Sequence, residues 1–212
     1  MPLSKEELER YSRQMLVPGI GTAGQEKLRA AKVAVVGLGG LGSAVLNYLA
    51  GAGVGELGLA DHGGVELSNL HRQFIYGTAE VGGLKTALAA AHVSALNPHV
   101  KTNVREGWLE AGGLEEFLSG YDLVADCTDN FKTRAAINRA CFGLKKTCVF
   151  GAVSRLEGQV AVFEPHSGPC LECLVPGVAG LPSRSPEEAG VTGPAAGATA
   201  ALQAAEIMKL IL

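Results

Sequence analysis

The stretch VAVVGLGGLGSAVLNYLA, residues 33–50, carries the signals of a strand, a tight turn and a helix. Four apolar residues run into a group of glycines, and the apolar residues after it, Leu41, Val45 and Leu49, recur at helical spacing. An uncharged run of this kind also approaches the roughly 20 apolar residues that span a bilayer. Its internal periodicity favours a strand–turn–helix unit, so we expect no membrane span here.

The glycines of this turn follow a known pattern. Gly37, Gly39 and Gly42 satisfy G-x-G-x-x-G directly after a predicted strand and at the start of a predicted helix. The first glycine turns the chain, the second lets the backbone approach phosphate, and the helix N-terminus offers free N–H groups to an anion. A turn that only packs a helix against a strand would show the same glycines. The context predicts a phosphate-bearing ligand, with Gly40 also in contact.

Composition and charge exclude several classes of protein. The net charge of −3 offers no clustered basic surface for nucleic acid or an anionic membrane. The N-terminus, MPLSKEELERYSRQ, lacks the apolar core of a signal peptide. Five cysteines, an odd number in a chain without such a signal, predict reduced thiols and a cytoplasmic protein. With 212 residues, the chain is expected to form one domain, residues 1–212.

Strands and helices alternate along the rest of the chain. One helix is predicted from Ser4 to Leu16, because Ser4 and Glu7 form the pattern of a capping box, and a Gly- and Pro-rich stretch from about 167 to 194 predicts a loop. The other predicted elements are strands at 32–36, 55–61, 99–106, 121–127, 145–154 and 157–165 and helices at about 22–30, 41–50, 84–97, 130–143 and 195–212. This alternation predicts an α/β fold: a doubly wound, Rossmann-like, mostly parallel sheet with helices on both faces.

Polar residues follow the ends of the predicted strands. Asp61 ends the second strand, where an acid accepts hydrogen bonds from a ribose hydroxyl, although a helix cap or a solvated turn acid would fit as well. Asp129 follows the fourth strand, where it could cap the next helix or hold Mg²⁺ through one carboxylate. Ligands of doubly wound sheets lie outside the carboxyl ends of the strands. We therefore expect Gly37–Gly42, Asp61 and Asp129 to line one crevice.

Two basic side chains, Arg72 and Lys85, favour a triphosphate over a dinucleotide as the ligand. Backbone N–H groups can hold the pyrophosphate of a dinucleotide, whereas the more highly charged ATP needs cations. Arg72 can grip phosphate oxygens in a fork and Lys85 can act as a point charge, provided that neither is a solvated surface residue. An NAD(P)-dependent oxidoreductase is the alternative, and it would leave Arg72, Lys85 and Asp129 without a role.

Together these residues resemble the ThiF/MoeB family (HesA/MoeB/ThiF), the bacterial relatives of ubiquitin-activating enzymes. The matching motifs follow the order of the family over nearly the whole chain, with Asp61 among them. They are RYSRQ (10–14), GLGGLGS (37–43), SNLHRQF (68–74), VGGLK (81–85), DCTDNF (126–131), GAVSRLEGQV (151–160), CLEC (170–173) and EAGV (188–191). This set is far more specific than G-x-G-x-x-G alone.

The resemblance implies an adenylating enzyme. It implies a homodimer that binds ATP and Mg²⁺ together with a small ubiquitin-like sulfur-carrier protein of the ThiS/MoaD type. AMP is then transferred to the C-terminal Gly-Gly carboxylate of the carrier, and pyrophosphate is released. The carrier stays open among those of thiamin, molybdopterin, modified-tRNA and natural-product biosynthesis, and a non-catalytic carrier-binding homologue is a further alternative.

The resemblance also implies roles for individual residues. Asp61 would hold the ribose, Asp129 would hold the magnesium ion, and Arg13 would reach into the site of the neighbouring subunit. The implied catalytic residues are Arg13, Arg72, Lys85 and Asp129. The implied nucleotide-binding residues are Gly37, Gly39, Gly40, Gly42, Asp61, Ser68, Asn69, Arg72, Lys85, Asp129 and Asn130.

The chain departs from the family pattern at three places. Gly63 stands where the family usually has a second acid, two residues after Asp61. Cys170 and Cys173 supply two candidate zinc ligands, but a structural zinc needs four and the second C-x-x-C of the family lies in a C-terminal tail that we expect to be absent. Two free thiols are the alternative. Finally, the loop SRSPEEAGV has Pro186 where some relatives carry a cysteine that forms a thioester or persulfide, so we expect no covalent cysteine step there.

Overall fold

A computed structural model of the chain describes residues 2–107, 111–165, 167–181 and 190–212. The strands are β1 (Lys32–Val36), β2 (Glu56–Asp61), β3 (Lys101–Glu106), β4 (Leu123–Asp126), β5 (Thr147–Ser154) and β6 (Glu157–Phe163). The helices are α1 (Lys5–Arg10), α2 (Ser12–Met15), α3 (Gly21–Ala30), α4 (Gly42–Ala52), α5 (Lys85–Leu96), α6 (Ala111–Ser119), α7 (Phe131–Leu144), α8 (Leu171–Leu174) and α9 (Gly193–Ile211). Short 3-10 helices lie at Leu67–Asn69, Thr78–Glu80 and Val178–Gly180.

The six strands form one sheet in the order β3-β2-β1-β4-β5-β6. All neighbouring strands are parallel except β5 and β6, which form an antiparallel pair. From β1 the chain moves outward through β2 and β3, then crosses to the other side of β1 to form β4. The strand order therefore reverses between β1 and β4, where doubly wound sheets bind ligands at the carboxyl ends of the strands. The predicted fold class is confirmed.

Helices cover both faces of the sheet, as predicted. In β1, Val33 and Val35 belong to one hydrophobic core, while Ala34 and Val36 belong to the other, because successive side chains of a strand point to opposite faces. Helices α4, α5 and α9 contribute to the first core, and α6 and α7 contribute to the second. The central strands β1, β2 and β4 are thus buried on both sides of the sheet, and the carboxyl ends of these strands face the cavity.

The stretch at 33–50 folds as the sequence predicts, into β1, the glycine turn and α4. Helix α4 runs two residues further than expected, to Ala52, and is capped by Gly53, whose φ of 81° places it in the left-handed region that favours glycine. Of the helices in the described part of the chain, none is long and apolar enough to cross a membrane.

The single N-terminal helix predicted from the sequence is wrong in part, because Tyr11 separates α1 from α2. The predicted capping box is present: Ser4 Oγ accepts from Glu7 N at 3.2 Å, and Glu7 Oε2 accepts from Ser4 N at 2.7 Å. Tyr11 is buried against Gly53, and its hydroxyl oxygen accepts a hydrogen bond from Asn97 Nδ2 at 2.8 Å. A contact with distant residues therefore fixes the backbone where the local sequence favours an unbroken helix.

Two further helices were not predicted. Helix α6 lies between β3 and β4, and the two glycines in its sequence weaken the helical signal. The stretch predicted as a loop contains α8 and the 3-10 helix that follows it. The part of this loop that holds Pro186, with the first half of the EAGV motif, lies outside the described residues.

Candidate functional site

A cavity of about 830 Å³ opens at the carboxyl ends of β1, β2 and β4, where the strand order reverses. Of the residues expected at the site, it brings together Gly37, Gly39, Gly40, Asp61, Asn69, Arg72, Lys85, Asp129 and Asn130. Gly42, Ser68 and Arg13 do not line it, although the structure describes all three. The expected convergence of the strand ends on one crevice is thus observed.

The glycines of the turn divide into two kinds. Gly37 has φ 88°, and a Cβ atom there would lie 2.9 Å from the carbonyl oxygen of Cys127. A Cβ on Gly42 would lie 1.8 Å from the carbonyl oxygen of Gly37, so both of these glycines are required by contacts inside the protein. Gly39 and Gly40 line the cavity instead, and a Cβ on Gly39 would meet no protein atom closer than 3.7 Å. Gly39 therefore leaves room for a ligand to approach the backbone, whereas a Cβ on Gly40 would meet Arg72 Cγ and Cδ at 3.4 Å.

Asp61 is held against the glycine turn. Its Oδ2 accepts a hydrogen bond from Leu38 N at 2.6 Å, and its Oδ1 accepts one from Gly63 N at 2.7 Å. The carboxylate is half-buried, and neither of its backbone donors belongs to a helix, so Asp61 is not a helix cap. A carboxylate has about four acceptor sites, and two backbone donors leave capacity for a hydroxyl group of a ligand.

The segment after the first 3-10 helix carries Arg72 along one wall of the cavity. Arg72 Nη1 donates to the carbonyl oxygen of Ser68 at 2.8 Å, and its Cγ and Cδ atoms lie against Gly40. The Ser68 hydroxyl is exposed and donates to Glu66 Oε2 at 3.2 Å. Asn69 is buried, and its Oδ1 accepts from Glu66 N at 3.3 Å. Arg72 is therefore partly anchored beside the glycine turn, whereas Ser68 does not line the cavity.

Lys85 begins α5 with its backbone fixed and its ammonium group unpaired. Its N–H donates to the carbonyl oxygen of Gly63 at 3.1 Å. The buried Tyr76 hydroxyl lies within hydrogen-bonding distance of the carbonyl oxygens of Leu38, at 3.1 Å, and Lys85, at 3.4 Å, and burial raises the pKa of this phenol. Lys85 Nζ forms no hydrogen bond or ion pair with any residue that the structure describes. A Cβ on Gly63 would lie 3.2 Å from Asp61 Oδ1 and 3.5 Å from Nζ, so a side chain at this position would crowd both groups.

Three buried polar residues beneath the cavity, Asp126, Thr128 and Arg134, form a set that we call the cavity floor. Asp126 Oδ1 accepts from Thr128 N at 3.0 Å and from Thr128 Oγ1 at 2.7 Å, and burial raises the pKa of Asp126 against the opposing effect of the Arg134 charge. Arg134 donates to the Thr128 carbonyl oxygen through Nη2 at 2.6 Å and Nε at 3.1 Å. The floor thus satisfies its own polar groups.

Asp129 differs from the floor residues because it is exposed and forms no hydrogen bond or ion pair within the described parts of the chain. The alternative role of Asp129 as a helix cap is wrong. Asn130 caps α7 instead, with its Oδ1 accepting from Thr133 N at 2.8 Å. One free carboxylate on a cavity that could hold phosphate oxygens is the donor set that Mg²⁺ usually takes in nucleotide sites. The residues present therefore fit a magnesium ion bound together with a nucleotide.

Arg13 lies on α2 and is exposed, away from the cavity of its own chain. Its guanidinium group contacts no acid or acceptor among residues 2–107, 111–165, 167–181 and 190–212. The action of Arg13 in a neighbouring subunit stays a prediction.

The two thiols of CLEC do not make a zinc site by themselves. Cys170 Sγ and Cys173 Sγ lie 3.6 Å apart, and the described residues contain no group of three or more His, Cys, Asp or Glu side chains that could hold a metal. Burial raises the pKa of the Cys170 thiol, but hydrogen bonds from the backbone of Cys173 and from Asn138 outweigh it and lower the pKa. All five cysteines of the chain are described and free, and Cys127, Cys141 and Cys148 are buried.

The cavity also includes residues that sequence reasoning missed, among them Gln73, Lys132, Thr133 and Arg134. Gln73 directly follows Arg72 in the matched SNLHRQF motif, and the other three follow DCTDN at the start of α7. The sequence could have indicated these residues through their positions directly beside expected site residues. Their contacts with the glycine turn and with β4, however, depend on the fold.

Comparisons with known proteins place the chain among adenylating enzymes. The model of the ThiF family matches residues 11–212. The chain is 45% identical to a Thermus thermophilus protein named sulfur carrier protein adenylyltransferase, covering 100% of this chain and 80% of that protein. It is 42% identical to the adenylyltransferase and sulfurtransferase uba4 of Pyricularia oryzae, covering 99% of this chain but 45% of that protein. The crystal structure of E. coli MccB matches with a TM-score of 0.84 and 25% identity, over 99% of this chain and 63% of that chain.

Proposed function

The chain belongs to the ThiF family, and on this basis we propose that it is an ATP-dependent adenylyltransferase. Its proposed protein substrate is a small ubiquitin-like sulfur carrier, which it activates at the C-terminal Gly-Gly carboxylate. The Thermus thermophilus and Pyricularia oryzae relatives are named adenylyltransferases, and the first is named for a sulfur carrier protein. The observation that carries the proposal is one cavity that joins the glycine turn to Lys85 and Asp129, both unpaired within the described chain.

The reaction requires that the carrier carboxylate be positioned at the α-phosphorus of ATP and that the negative charge on the phosphate oxygens be stabilised. The carrier carboxylate is already ionised near pH 7 and needs no general base. One of its oxygens attacks the α-phosphorus of ATP, the bond to the bridging oxygen of pyrophosphate breaks, and an acyl-adenylate forms. Arg72 and Lys85 oppose the negative charge that builds on the phosphate oxygens, which is the kind of stabilisation that dominates many enzymes. Magnesium held by Asp129 would add positive charge at the same phosphates.

An oxidoreductase explains fewer of the residues. A nicotinamide dinucleotide would use the glycine turn and Asp61. Binding of such a dinucleotide would give no role to the unpaired ammonium group of Lys85 or to the unpaired carboxylate of Asp129. We therefore favour adenylation.

The proposal extends to a homodimer in the cytoplasm. Arg13 of a second copy would enter the cavity, since in its own chain this arginine is exposed, lies outside the cavity and pairs with no described residue. An arginine that arrives from a partner would complete the set of cations around the triphosphate. The five free cysteines fit a reducing compartment.

The direct test is ATP–pyrophosphate exchange measured with a panel of carrier proteins that end in Gly-Gly. The protein should support exchange with one of them, and Asp129→Ala should abolish exchange while leaving the thermal unfolding curve unchanged. Glu9→Ala is the matched control, because Glu9 is exposed on α1 and does not line the cavity. Near-normal exchange by Asp129→Ala would refute the role of Asp129. Carrier binding without ATP binding would instead favour the non-catalytic alternative.

A further inference from the structure

Among the described residues, three glutamines are buried: Gln25, Gln73 and Gln203. Two of them are satisfied inside the protein. Gln203 Nε2 donates to the carbonyl oxygens of Asp126 and Val149, both at 2.9 Å, and Gln25 Nε2 donates to the carbonyl oxygen of the last residue of α4 at 2.9 Å. These two carboxamides therefore hold the fold together.

Gln73 is buried, as Gln25 and Gln203 are, but its carboxamide forms no hydrogen bond of the kind that they form. Its Oε1 is buried without a hydrogen-bond partner, and its Nε2 donates to no residue in the described ranges. A buried amide without partners costs free energy, whereas an apolar side chain of the same length would avoid that cost. The Nε2 hydrogens, unlike the buried Oε1, are therefore available to a group that enters the cavity.

The carboxamide lies beside the part of the turn that is open to a ligand. Gln73 lines the cavity, and its Nε2 lies 3.7 Å from the position that a Cβ on Gly39 would occupy. Gly39 is the second glycine of the motif, the one that lets the backbone approach phosphate. Arg72 lies against Gly40, so the two neighbouring side chains flank the open half of the turn.

We infer that Gln73 binds the nucleotide directly, with Nε2–H donating to the phosphate oxygen that lies over Gly39. This inference rests on the proposed function, because it needs a nucleotide phosphate in the cavity. A neutral amide suits the position: it supplies a directed donor without adding a further charge next to Arg72. A hydrogen bond from Nε2 to a charged oxygen is stronger than a neutral one and would offset part of the cost of burying the amide, whose Oε1 has no partner.

The test compares Gln73→Met with Gln203→Met by isothermal titration calorimetry and thermal unfolding. Gln73→Met should weaken ATP binding about 10- to 100-fold, the usual effect of one hydrogen bond to a charged group. Its affinity for adenosine, which has no phosphate, should not change, and its melting temperature without ligand should not fall. Gln203→Met should show the opposite pattern: a lower melting temperature, because two carbonyl groups lose their donor, and unchanged ATP affinity of the folded protein.

Four results would overturn the inference. Equal ATP affinity of Gln73→Met and the parent protein would overturn it alone and leave the proposed function standing. Equal loss of ATP and adenosine binding would show that the substitution changes the shape of the cavity and not a phosphate contact. Loss of folding in Gln73→Met would show that the amide has a partner inside the protein. Failure of the parent protein to bind ATP would overturn the proposed function together with this inference.

Discussion

The cavity floor and two residues above it, Lys85 and Asp129, which we call the wall, both contain an acid and a basic residue. They differ in whether these side chains have partners inside the protein. In the floor, the side chains of Asp126 and Arg134 are buried and both are hydrogen-bonded to Thr128. In the wall, Lys85 and Asp129 have no partner within the described chain. Burial and pairing, and not residue type, therefore separate the charges that hold the fold from those that face a ligand.

This difference predicts two kinds of mutational effect. A floor substitution removes an internal partner and leaves another buried group unsatisfied, so it should lower the free energy of unfolding. A wall substitution removes a group that the folded chain does not use, so it should lower activity and spare stability. The predictions below are ordered from the largest expected effect to the smallest.

The largest effect is expected for Arg134→Met in the floor. The substitution removes two donors to the Thr128 carbonyl oxygen and the positive charge nearest to Asp126, and it also removes the guanidinium that lies 4.9 Å from the centroid of the Phe150 ring. A hydrogen bond from a charged group is worth about 1.5–3 kcal/mol, so the loss of these two should cost about 3–5 kcal/mol. Urea denaturation followed by circular dichroism should show this loss.

Lys132→Met is the control for Arg134→Met, since Lys132 is on the same helix but is exposed. We expect it to change the free energy of unfolding by less than about 0.5 kcal/mol. If the two variants are equally stable, the distinction between floor and wall does not hold.

The next effect is expected for Lys85→Ala in the wall. Loss of a cation that stabilises transition-state charge should lower the rate of acyl-adenylate formation by about 10²–10³, roughly 3–4 kcal/mol of barrier. The unfolding curve should not move, because Lys85 Nζ pairs with no described residue. Single-turnover release of pyrophosphate measures the rate.

Lys5→Ala provides the matched control, because Lys5 is an exposed lysine at the start of α1 and outside the cavity. Its rate should equal that of the parent protein. A Lys85→Ala variant with the parent rate would mean that Lys85 points away from the reacting phosphate.

The sequence predicted the sheet and the turn well because their signals are local. Short apolar runs gave all six strands, and the glycine pattern placed the crevice. The break at Tyr11 could not be predicted, because it depends on contacts with Gly53 and Asn97, which are far away in the sequence. Helix α6 was missed since its two glycines hide the helical pattern.

At the cavity, the sequence identified residue types but not their partners. Asp61, Lys85 and Asp129 were expected at strand ends or at the start of the next helix, and the structure brings them to one cavity. Gln73 was missed, because its significance comes from an unpaired carboxamide beside Gly39. Likewise, only the folded chain shows which residue of the Asp129–Asn130 pair caps α7.

Asn130 lies on the boundary between floor and wall, and the smallest effect is expected there. Its Oδ1 caps α7 through Thr133 N, while the residue also lines the cavity. Asn130→Ala should lose about 1 kcal/mol of stability, as other N-cap substitutions do. Asn130→Asp keeps the capping oxygen and should keep the stability, but it places a negative charge beside the phosphates and should weaken ATP binding. If ATP affinity falls in neither variant at a temperature where both are folded, Asn130 belongs to the floor alone, and the nucleotide site ends at Asp129.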